Sequence, residues 1–386
     1  MKLKHKQIAI IGGGPGGLTL AKLLQLEGAA VKVYERDHHK DARVQGSPLD
    51  LHEESGLAAL KKAGLLDAFK ANFMAGADKK LIMGAEAKVF FSDHEYKLEE
   101  NFDDVHFRPE IDRGVLRKIL LESLTADTIV WGSKFLSMEK QQEGWLMTFS
   151  NGSAVYADLV IAADGANSKI RPYLTDIKPF YSGVTMLEGN IYDAENHAPR
   201  IHDMLKGGKI MAFGKGQNLL LGQKTDGEIG FYASFKADEE WVNHNGLDYG
   251  NRDQLCNWFK EKYSEWAVVW EELFQDTALP IIPRPIYCMP LDQSWQTMSN
   301  LTLLGDAAHV MPPFAGEGVN MAMLDALDLS EYLWSAQYSS MYEAIKVYEE
   351  KMCKRAAAAA KESLVNGEMM HSEDSLKNML ELFSTH

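Results

Sequence analysis

The 386-residue chain is 46% hydrophobic and 25% charged, an ordinary globular balance that excludes disordered, collagen-like and membrane-spanning classes. Its length exceeds one ordinary core and suits two intimately packed domains. The formal net charge of -15 argues against a general nucleic-acid or anionic-membrane surface, but it says nothing of a local basic cleft.

Lys2, Lys4 and Lys6 precede the apolar run Ile8 to Ile11. That run is short, glycines interrupt it, and no small-residue cleavage pattern follows, so it reads as a strand and not as a signal peptide. No stretch approaches ~20 uninterrupted apolar residues, and a cytoplasmic protein without a membrane span is expected. After the glycines, Leu18, Leu20, Ala21, Leu23 and Leu24 have helical spacing. A second strand, Val31 to Tyr34, ends at Glu35 and completes a βαβ opening. Helical patterns follow over Gly56–Phe69 and Arg113–Leu124, then short alternating segments over Thr128–Trp131, Trp145–Phe149 and Asp158–Ala163. Val184–Phe235 is strand-rich, with turns at Gly207-Gly208 and Asp226-Gly227 that predict a mostly antiparallel sheet. A long helix is predicted over Asp253–Phe274, and Pro280, Pro283 and Pro285 mark a crossover. Leu301–Leu304 returns to a buried strand. Helical patterns resume at Gly318 and run to the C-terminus, with Ala356–Ala360 read as part of a long surface helix.

Cys256, Cys288 and Cys353 lack metal-ligand or redox spacing and read as reduced thiols. His38-His39 reads as a solvated turn, so no metal site is expected.

Three motifs carry the chemistry. In Gly12-Gly-Gly-Pro-Gly-Gly17, Gly12 permits the tight turn, Gly14 lets backbone approach a pyrophosphate, and Gly17 allows close helix–strand packing. The helix start behind it offers unpaired N–H groups to phosphates. Glu35 ends the next strand, where a carboxylate can accept ribose hydroxyls and would repel a 2′-phosphate, despite the neighbouring Arg36. These features favour a dinucleotide without separating FAD from NAD. The second motif is Asp158 to Arg171, a buried strand breaking at Asp164-Gly165. The third runs from Leu304-Gly-Asp306-Ala-Ala-His309 through Pro312-Pro-Phe314-Ala-Gly316-Glu-Gly318-Val-Asn320, a strand ending at an Asp and a Gly-rich turn starting a helix.

In this order, from Lys6 to about Tyr332, the three motifs resemble the fingerprints of the group A flavoprotein hydroxylases of the para-hydroxybenzoate hydroxylase type. The resemblance implies an α/β fold: a Rossmann-like FAD-binding domain of the GR2 type, with an inserted, mostly antiparallel substrate sheet and a C-terminal helix. The implied FAD-binding domain is discontinuous, 1–75, 107–171 and 292–335, with the substrate domain at 76–106 and 172–291 and a helical segment at 336–386. Gly12, Gly14, Gly17 and Glu35 would hold the ADP part of tightly bound, non-covalent FAD. Asp306 would take ribityl or pyrophosphate-side hydroxyls. Asp164 would serve FAD and the transient passage of NADPH, and Arg113 would lie near the flavin phosphates.

Ile10-Ile-Gly-Gly-Gly-Pro, Val33-Tyr-Glu-Arg-Asp, Leu49-Asp-Leu-His, Lys61-Lys-Ala-Gly-Leu-Leu and Gly305 to Gly316 are further similar to the tetracycline-inactivating monooxygenases of the TetX type. That similarity implies that Arg36, Arg43, Asp50, Leu51 and Arg113 belong to the FAD and NADPH site, with Arg43 near the isoalloxazine. Pro313, Gly316, Gly318, Val319 and Asn320 would line the flavin. The substrate would meet Glu188, Lys209, Met211, Leu221, Gly230, Phe314 and Leu376.

Glu188, Lys209 and Gly230 depart from the Gln, Arg and His that the family uses to read the tetracycline edge. Lys209 keeps the charge but loses the planar fork, and Gly230 has no side chain. Glu188 adds a negative charge unless Lys209 neutralises it. The implied reaction consumes NADPH and O2 and hydroxylates an electron-rich aromatic or enolic polyketide-like small molecule through a flavin C4a-hydroperoxide, with tetracycline-type antibiotics as the implied substrates and a monomer as the implied state. No side chain is assigned as an obligate acid or base. Two alternatives stay open: a flavin reductase or dehydrogenase of this fold, and a non-catalytic binding protein, against which the full set of cofactor motifs argues.

Overall fold

In chain order the strands are β1 (Gln7–Ile11), β2 (Ala30–Tyr34), β3 (Leu49–Asp50), β4 (Lys80–Gly84), β5 (Val89–Ser92), β6 (Glu110–Ile111), β7 (Ile129–Val130) and β8 (Phe135–Gln141). They continue with β9 (Gly144–Phe149), β10 (Ala154–Ala157), β11 (Leu159–Ala162), β12 (Phe180–Ile191), β13 (Lys209–Phe213), β14 (Gln217–Gln223), β15 (Ile229–Lys236), β16 (Ile282–Cys288) and β17 (Leu301–Leu303). These positions come from a computed structural model that describes residues 3, 5–42, 48–95, 101, 102, 104, 107–224 and 227–384.

β1 beyond Gln7 and β11 are buried apolar runs, and β17 is buried with its one polar side chain, Thr302, bonded to Glu349; such strands suit a parallel sheet covered on both sides. They form one, in the order β17-β11-β1-β2-β7, with every neighbour parallel. The helices Pro15–Leu26 and Gly318–Trp334 pack closely because Gly16 has no Cβ, whose ideal position lies 2.8 Å from the Ala322 carbonyl oxygen. An antiparallel meander, β10-β9-β8, joins the same core through Trp145, Met147 and Phe149.

A seven-stranded sheet has the order β16-β12-β15-β14-β13-β4-β5, antiparallel except for the β13–β4 pair. Side chains alternate along each strand, so directly opposed residues share a face. Ile210, Leu219, Leu221, Phe231 and Ala233 face a core built with Phe259, Trp270 and Phe274. Ile82, Met211, Phe213 and Leu220 face Phe314 and the C-terminal residues Met370, Leu376 and Met379.

Three elements differ from the sequence expectation. The strand-rich stretch is interrupted by helices Ala194–His197 and Pro199–Leu205, the second started by proline at its first position, with Ile201 and Leu205 one turn apart and buried. The helix expected over Asp253–Phe274 is broken into Arg252–Lys262, Val268–Glu271 and Glu272–Gln275. The chain turns there so that the indoles of Trp266 and Trp270 can bury and still donate, to Gln217 Oε1 and the Ala85 carbonyl at 2.9 Å each. Ala356, Ala359 and Ala360 are buried against Met311 and Met321, so their stretch of the helix Met341–Met370 is a packed face and not a surface. Among the described residues, no helix is long and apolar enough to cross a membrane.

Candidate functional site

The turns at the carboxyl ends of β1, β11 and β17 converge. Gly12 has φ +113°, and its missing Cβ would fall 2.2 Å from the Ala163 carbonyl oxygen, so only glycine lets the first and second turns touch. Gly17 faces the Gly12 carbonyl equally closely, at 2.3 Å. Gly14 is the N-cap of the helix Pro15–Leu26, with no side-chain cap and open space where a Cβ would stand. The leading N–H groups of that helix are therefore accessible.

Glu35 is buried at the end of β2 and accepts from the Gly13 N–H at 2.6 Å and the Asp37 N–H at 3.0 Å. Ribose hydroxyls would share these oxygens. Arg36 is exposed. Arg43 lies outside the described residues. Arg117, which the sequence reading passed over, is buried and donates to Lys40 O at 2.6 Å, Asp37 Oδ2 at 3.2 Å and Gly13 O at 3.4 Å. Its one signal was a place one helical turn after Arg113.

The Asp164 carboxylate accepts from the Lys169 N–H at 2.8 Å through Oδ2, while its buried Oδ1 has no protein partner. Burial pushes this carboxyl above its ordinary range, outweighing the hydrogen bonds from Ser168 and Lys169. Arg113 opens the helix Arg113–Glu122 behind the N-cap Asp112, and its buried Nε is likewise unpartnered. Asp306 is exposed just beyond the end of β17, and desolvation by the surrounding chain raises its carboxyl against the attraction of His309 and Arg113.

The Asp306 turn is held from below. Gly305, at φ +57°, donates to Asp325 Oδ2 at 2.9 Å, and His309 Nε2 meets the same oxygen at 2.6 Å. Arg355 reaches Asp325 and Asp328 at 2.7 and 2.6 Å. Arg171 ties the second motif to the third through Ala308 O at 2.7 Å and Ala307 O at 3.2 Å.

The Gly-rich turn of the third motif leads into Gly318–Trp334, whose N-cap Glu317 makes no side-chain cap bond. Gly316 has φ +71°, Gly318 has open space at its Cβ position, and Val319 packs partly buried on the core. Pro313 is exposed. One expectation, Leu51, needs correcting here; for Asn320 only the side chain is taken up, and its backbone N–H belongs to the uncapped first turn of the helix. The Asn320 side chain is fully engaged by protein: Oδ1 accepts from the His52 N–H and Ser55 Oγ, and Nδ2 donates to Asp50 O and Gly316 O. Leu51 is a core residue whose N–H donates to Pro109 O, so neither its side chain nor its amide is offered to a ligand. Asp50 meets His52 Nε2 at 3.2 Å, while His52 Nδ1 lies 3.4 Å from Glu317 Oε1.

The cleft-side face of the large sheet carries Glu188, Lys209, Met211 and Gly230. Met211, Leu220, Tyr232 and Glu188 stand in one row, and Lys209, Gly222, Gly230 and Asn190 in the next. Leu221 belongs to the opposite face, in the core with Phe231, because it pairs with Ile210; Leu220 takes the cleft-side position. Glu188 is neutralised by Arg284 at 2.7 Å on the adjacent strand and not by Lys209, which pairs with Glu110. Burial lowers the Lys209 ammonium, opposed by Asp50. Lys224 is a second buried cation on this face, its ammonium lowered by desolvation, and it reaches Asn190 Oδ1 across the strand that carries Gly230. Phe314 stacks edge-on to His371 at 5.3 Å, and Leu376 packs in the same cluster as Met211 and Leu220. An open groove of about 340 Å³ lined by Leu81, Val89, His94 and Met204 lies elsewhere on this domain and shares no residue with the cleft cluster.

This donor set fits FAD. Two open helix starts suit a pyrophosphate and an electron-rich ring, Glu35 and Asp306 suit polyol hydroxyls, and Asp164 Oδ1 and Arg113 Nε are buried polar atoms that lack a protein partner. Among the described residues, no three His, Cys, Asp or Glu side chains converge as metal ligands.

The FAD binding domain family matches residues 5–363. Monooxygenase asqM of Emericella nidulans is 30% identical, over 85% of this chain and 83% of its own length. Monooxygenase penA of Penicillium thymicola is 28% identical, over 97% of this chain and 98% of its own. Among solved structures, Klebsiella pneumoniae HpxO complexed with FAD and uric acid superposes with a TM-score of 0.76 at 21% identity, covering 99% of this chain and 93% of that one. Tetracycline destructase Tet(55) gives 0.78 at 18% identity, covering 100% and 96%. At those identities the structures speak for the fold, while the sequence matches carry the family. This chain belongs to the FAD binding domain family, as a group A flavin-dependent monooxygenase.

Proposed function

We propose that the chain is an NADPH-consuming hydroxylase of an electron-rich aromatic or enolic polycyclic compound, with tetracycline-type antibiotics the first class to test. The observation that carries this is the two-row face of the large sheet: Met211, Leu220 and Tyr232, ending at the Arg284-paired Glu188, beside a row with Lys209 and Asn190 at its ends and Gly222 and Gly230 between. A flat ring system can lie on the first row while its oxygens reach the second. The missing side chain of Gly222 leaves open space between the strand of Lys209 and the end of Lys224. The relatives act in the same chemical range, since two of them are named 3-amino-4-hydroxybenzoate 2-monooxygenases.

Bound FAD, reduced by NADPH, supplies the activation of O2, and the protein supplies orientation, charge and exclusion of water. Lys209 Nζ, its ammonium lowered by burial, donates a hydrogen bond that holds a substrate phenolate or enolate as the anion. Phe314 and Leu376 close the apolar side and keep water off the reacting carbon.

The test is incubation of the FAD-loaded protein with NADPH and a tetracycline or a hydroxylated polyketide under labelled O2. Mass spectrometry should find one labelled oxygen atom in the product. Gly222→Ala, whose added Cβ would meet nothing within 4 Å, should raise KM for a bound polycycle several-fold, about one methyl group's worth of lost fit, with FAD retained. Substrate-stimulated NADPH oxidation with no oxygen incorporated, and with the electrons recovered in a reduced substrate and not in hydrogen peroxide, would favour the reductase alternative.

A further inference from the structure

The start of the helix Gly318–Trp334 poses a problem that its own sequence creates. Glu317 is its N-cap residue, and a carboxylate there would normally turn back onto the first N–H groups, where the helix dipole favours it. Such a cap would occupy the donors that a bound ligand needs. In the structure the Glu317 side chain makes no cap bond. It is turned away, its Oε1 3.4 Å from Nδ1 of His52, whose Nε2 lies 3.2 Å from Asp50 Oδ2. His52 is 2% exposed and lies within ion-pair distance of two carboxylates, hydrogen-bonded to Asp50 through Nε2 and, through Nδ1, beside Glu317 without a hydrogen bond in line.

Its frame is rigid. Asn320 receives the His52 N–H at 2.9 Å and holds Asp50 O at 3.0 Å. The chain beyond His52 forms a wide π-type turn, Glu53–Leu57, that packs on the same helix. Asp50 also fills the space beside Gly316, whose Cβ position lies 3.4 Å from both carboxylate oxygens.

We propose that His52 is a positioning residue that, as an imidazolium shared by Asp50 and Glu317, withdraws the Glu317 carboxylate from the N-terminus of Gly318–Trp334 and keeps that helix start open to the flavin. The inference rests on the FAD-binding assignment of the family and not on the choice of substrate. Without the imidazolium, Glu317 swings onto the free N–H groups and places a negative charge where the reduced, anionic ring would lie.

The charged groups around His52 fix the pH range. Burial disfavours its charge, but Asp50 and Glu317 outweigh burial, Arg108 opposes them weakly, and the pKa is pushed up to about 9. Glu53 and Glu54 are exposed, and Lys209 with Glu110 lies beyond Asp50. A histidine whose folded pKa is raised keeps its ion pairs fully below its ordinary value and loses them as pH rises through the folded one. The clasp therefore holds at neutral pH and opens near pH 9.

The experiment measures the FAD dissociation constant and the flavin midpoint potential from pH 6 to 10 on the full-length protein, its His52→Gln and Glu317→Gln variants, and the double variant. At pH 7, His52→Gln should weaken FAD about tenfold, the scale of one charge at a helix terminus in a partly buried setting. Its potential should shift negative, and the loss of affinity expected of the parent protein above pH 9 should vanish. Adding Glu317→Gln should recover most of both, because the uncharged amide no longer opposes the reduced ring. Unchanged affinity and potential in His52→Gln, or no recovery in the double variant, overturns the proposal, the latter assigning His52 to packing alone. Should His52→Gln fail to fold, Glu317→Gln decides: it must abolish the alkaline loss, and its persistence is contradictory.

Discussion

Asp325→Asn is the sharpest probe of the scaffold beneath the cofactor turn. Asp325 is completely buried and serves three groups at once: His309 Nε2 at 2.6 Å, Arg355 Nη2 at 2.7 Å and the Gly305 N–H at 2.9 Å. Asparagine keeps the volume and removes the charge that two cations share. Breaking a buried ion pair from one side costs about 3–5 kcal/mol, since the partner's charge stays behind. A chain of this length unfolds with an entropy of about 0.8 kcal/mol/K, so Tm should fall by about 4–6 °C. Asp328→Asn removes the other arm of the Arg355 fork, at 2.6 Å, but both partners there are partly exposed. That change should cost under about 1 kcal/mol and move Tm by about 1 °C. Thermal unfolding followed by flavin fluorescence reads both quantities, and FAD should leave earlier only in Asp325→Asn, because Asp325 holds the Gly305 amide. Burial alone would raise the Asp325 carboxyl, yet His309 and Arg355 hold it below its usual range. Burial would likewise lower His309, and Asp325 raises it. The carboxylate's contribution is thus present above its ordinary pKa and lost as pH falls through the lowered value. That of the imidazolium is present below about 6.5 and lost as pH rises through the raised value. Equal Tm shifts in the two variants would refute the reasoning.

Leu221→Ala should destabilise by about 2–5 kcal/mol with KM for the identified substrate unaltered, and Leu220→Ala should change KM, because the two residues belong to opposite faces of one strand. The reverse pattern would mean that the register of β14 is slipped by one. His371 donates from Nδ1 to Gly367 O at 2.7 Å, while its Nε2 meets Ser234 Oγ and Asn218 Nδ2, and burial pushes its pKa down. The unfolded chain therefore takes up that proton first, and stability conferred by neutral His371 should fade as pH drops below about 6.5. His371→Gln should flatten Tm against pH between 5 and 7; an unchanged slope would assign the acid sensitivity elsewhere.

The parallel half of the fold could be read from the sequence because its signals are local. Apolar runs such as Ile8–Ile11 and Leu159–Ala162 and the glycines behind them specify strand, turn and helix start within a few residues. The substrate half could not be read to the same depth. Which face Leu221 occupies depends on a register set across seven strands, and a slip of one residue exchanges the faces. The partner of Glu188 was equally hidden, since Arg284 arrives from a strand 96 positions away. Lys224 lies in no motif, and His52, though it ends the Leu49-Asp-Leu-His stretch, has no role legible there. They matter because of what folding brings beside them, Glu317 in one case and Asn190 in the other. Arg117 shares this character, a cation whose role is to gather three chain segments.

The alternation of the large sheet has a practical meaning for protein engineering. Every second residue on β13, β14 and β15 belongs to the core with Phe259 and Trp270, and the alternate face is buried under the C-terminal segment at Phe213, Asn218 and Ser234 but only partly covered at Lys209, Met211, Leu220, Gly222 and Tyr232. A combinatorial library confined to 209, 211, 220, 222 and 232 would therefore sample new ligand shapes while leaving the folding core as it is. Diversity placed one position along each strand would be spent on collapsed variants.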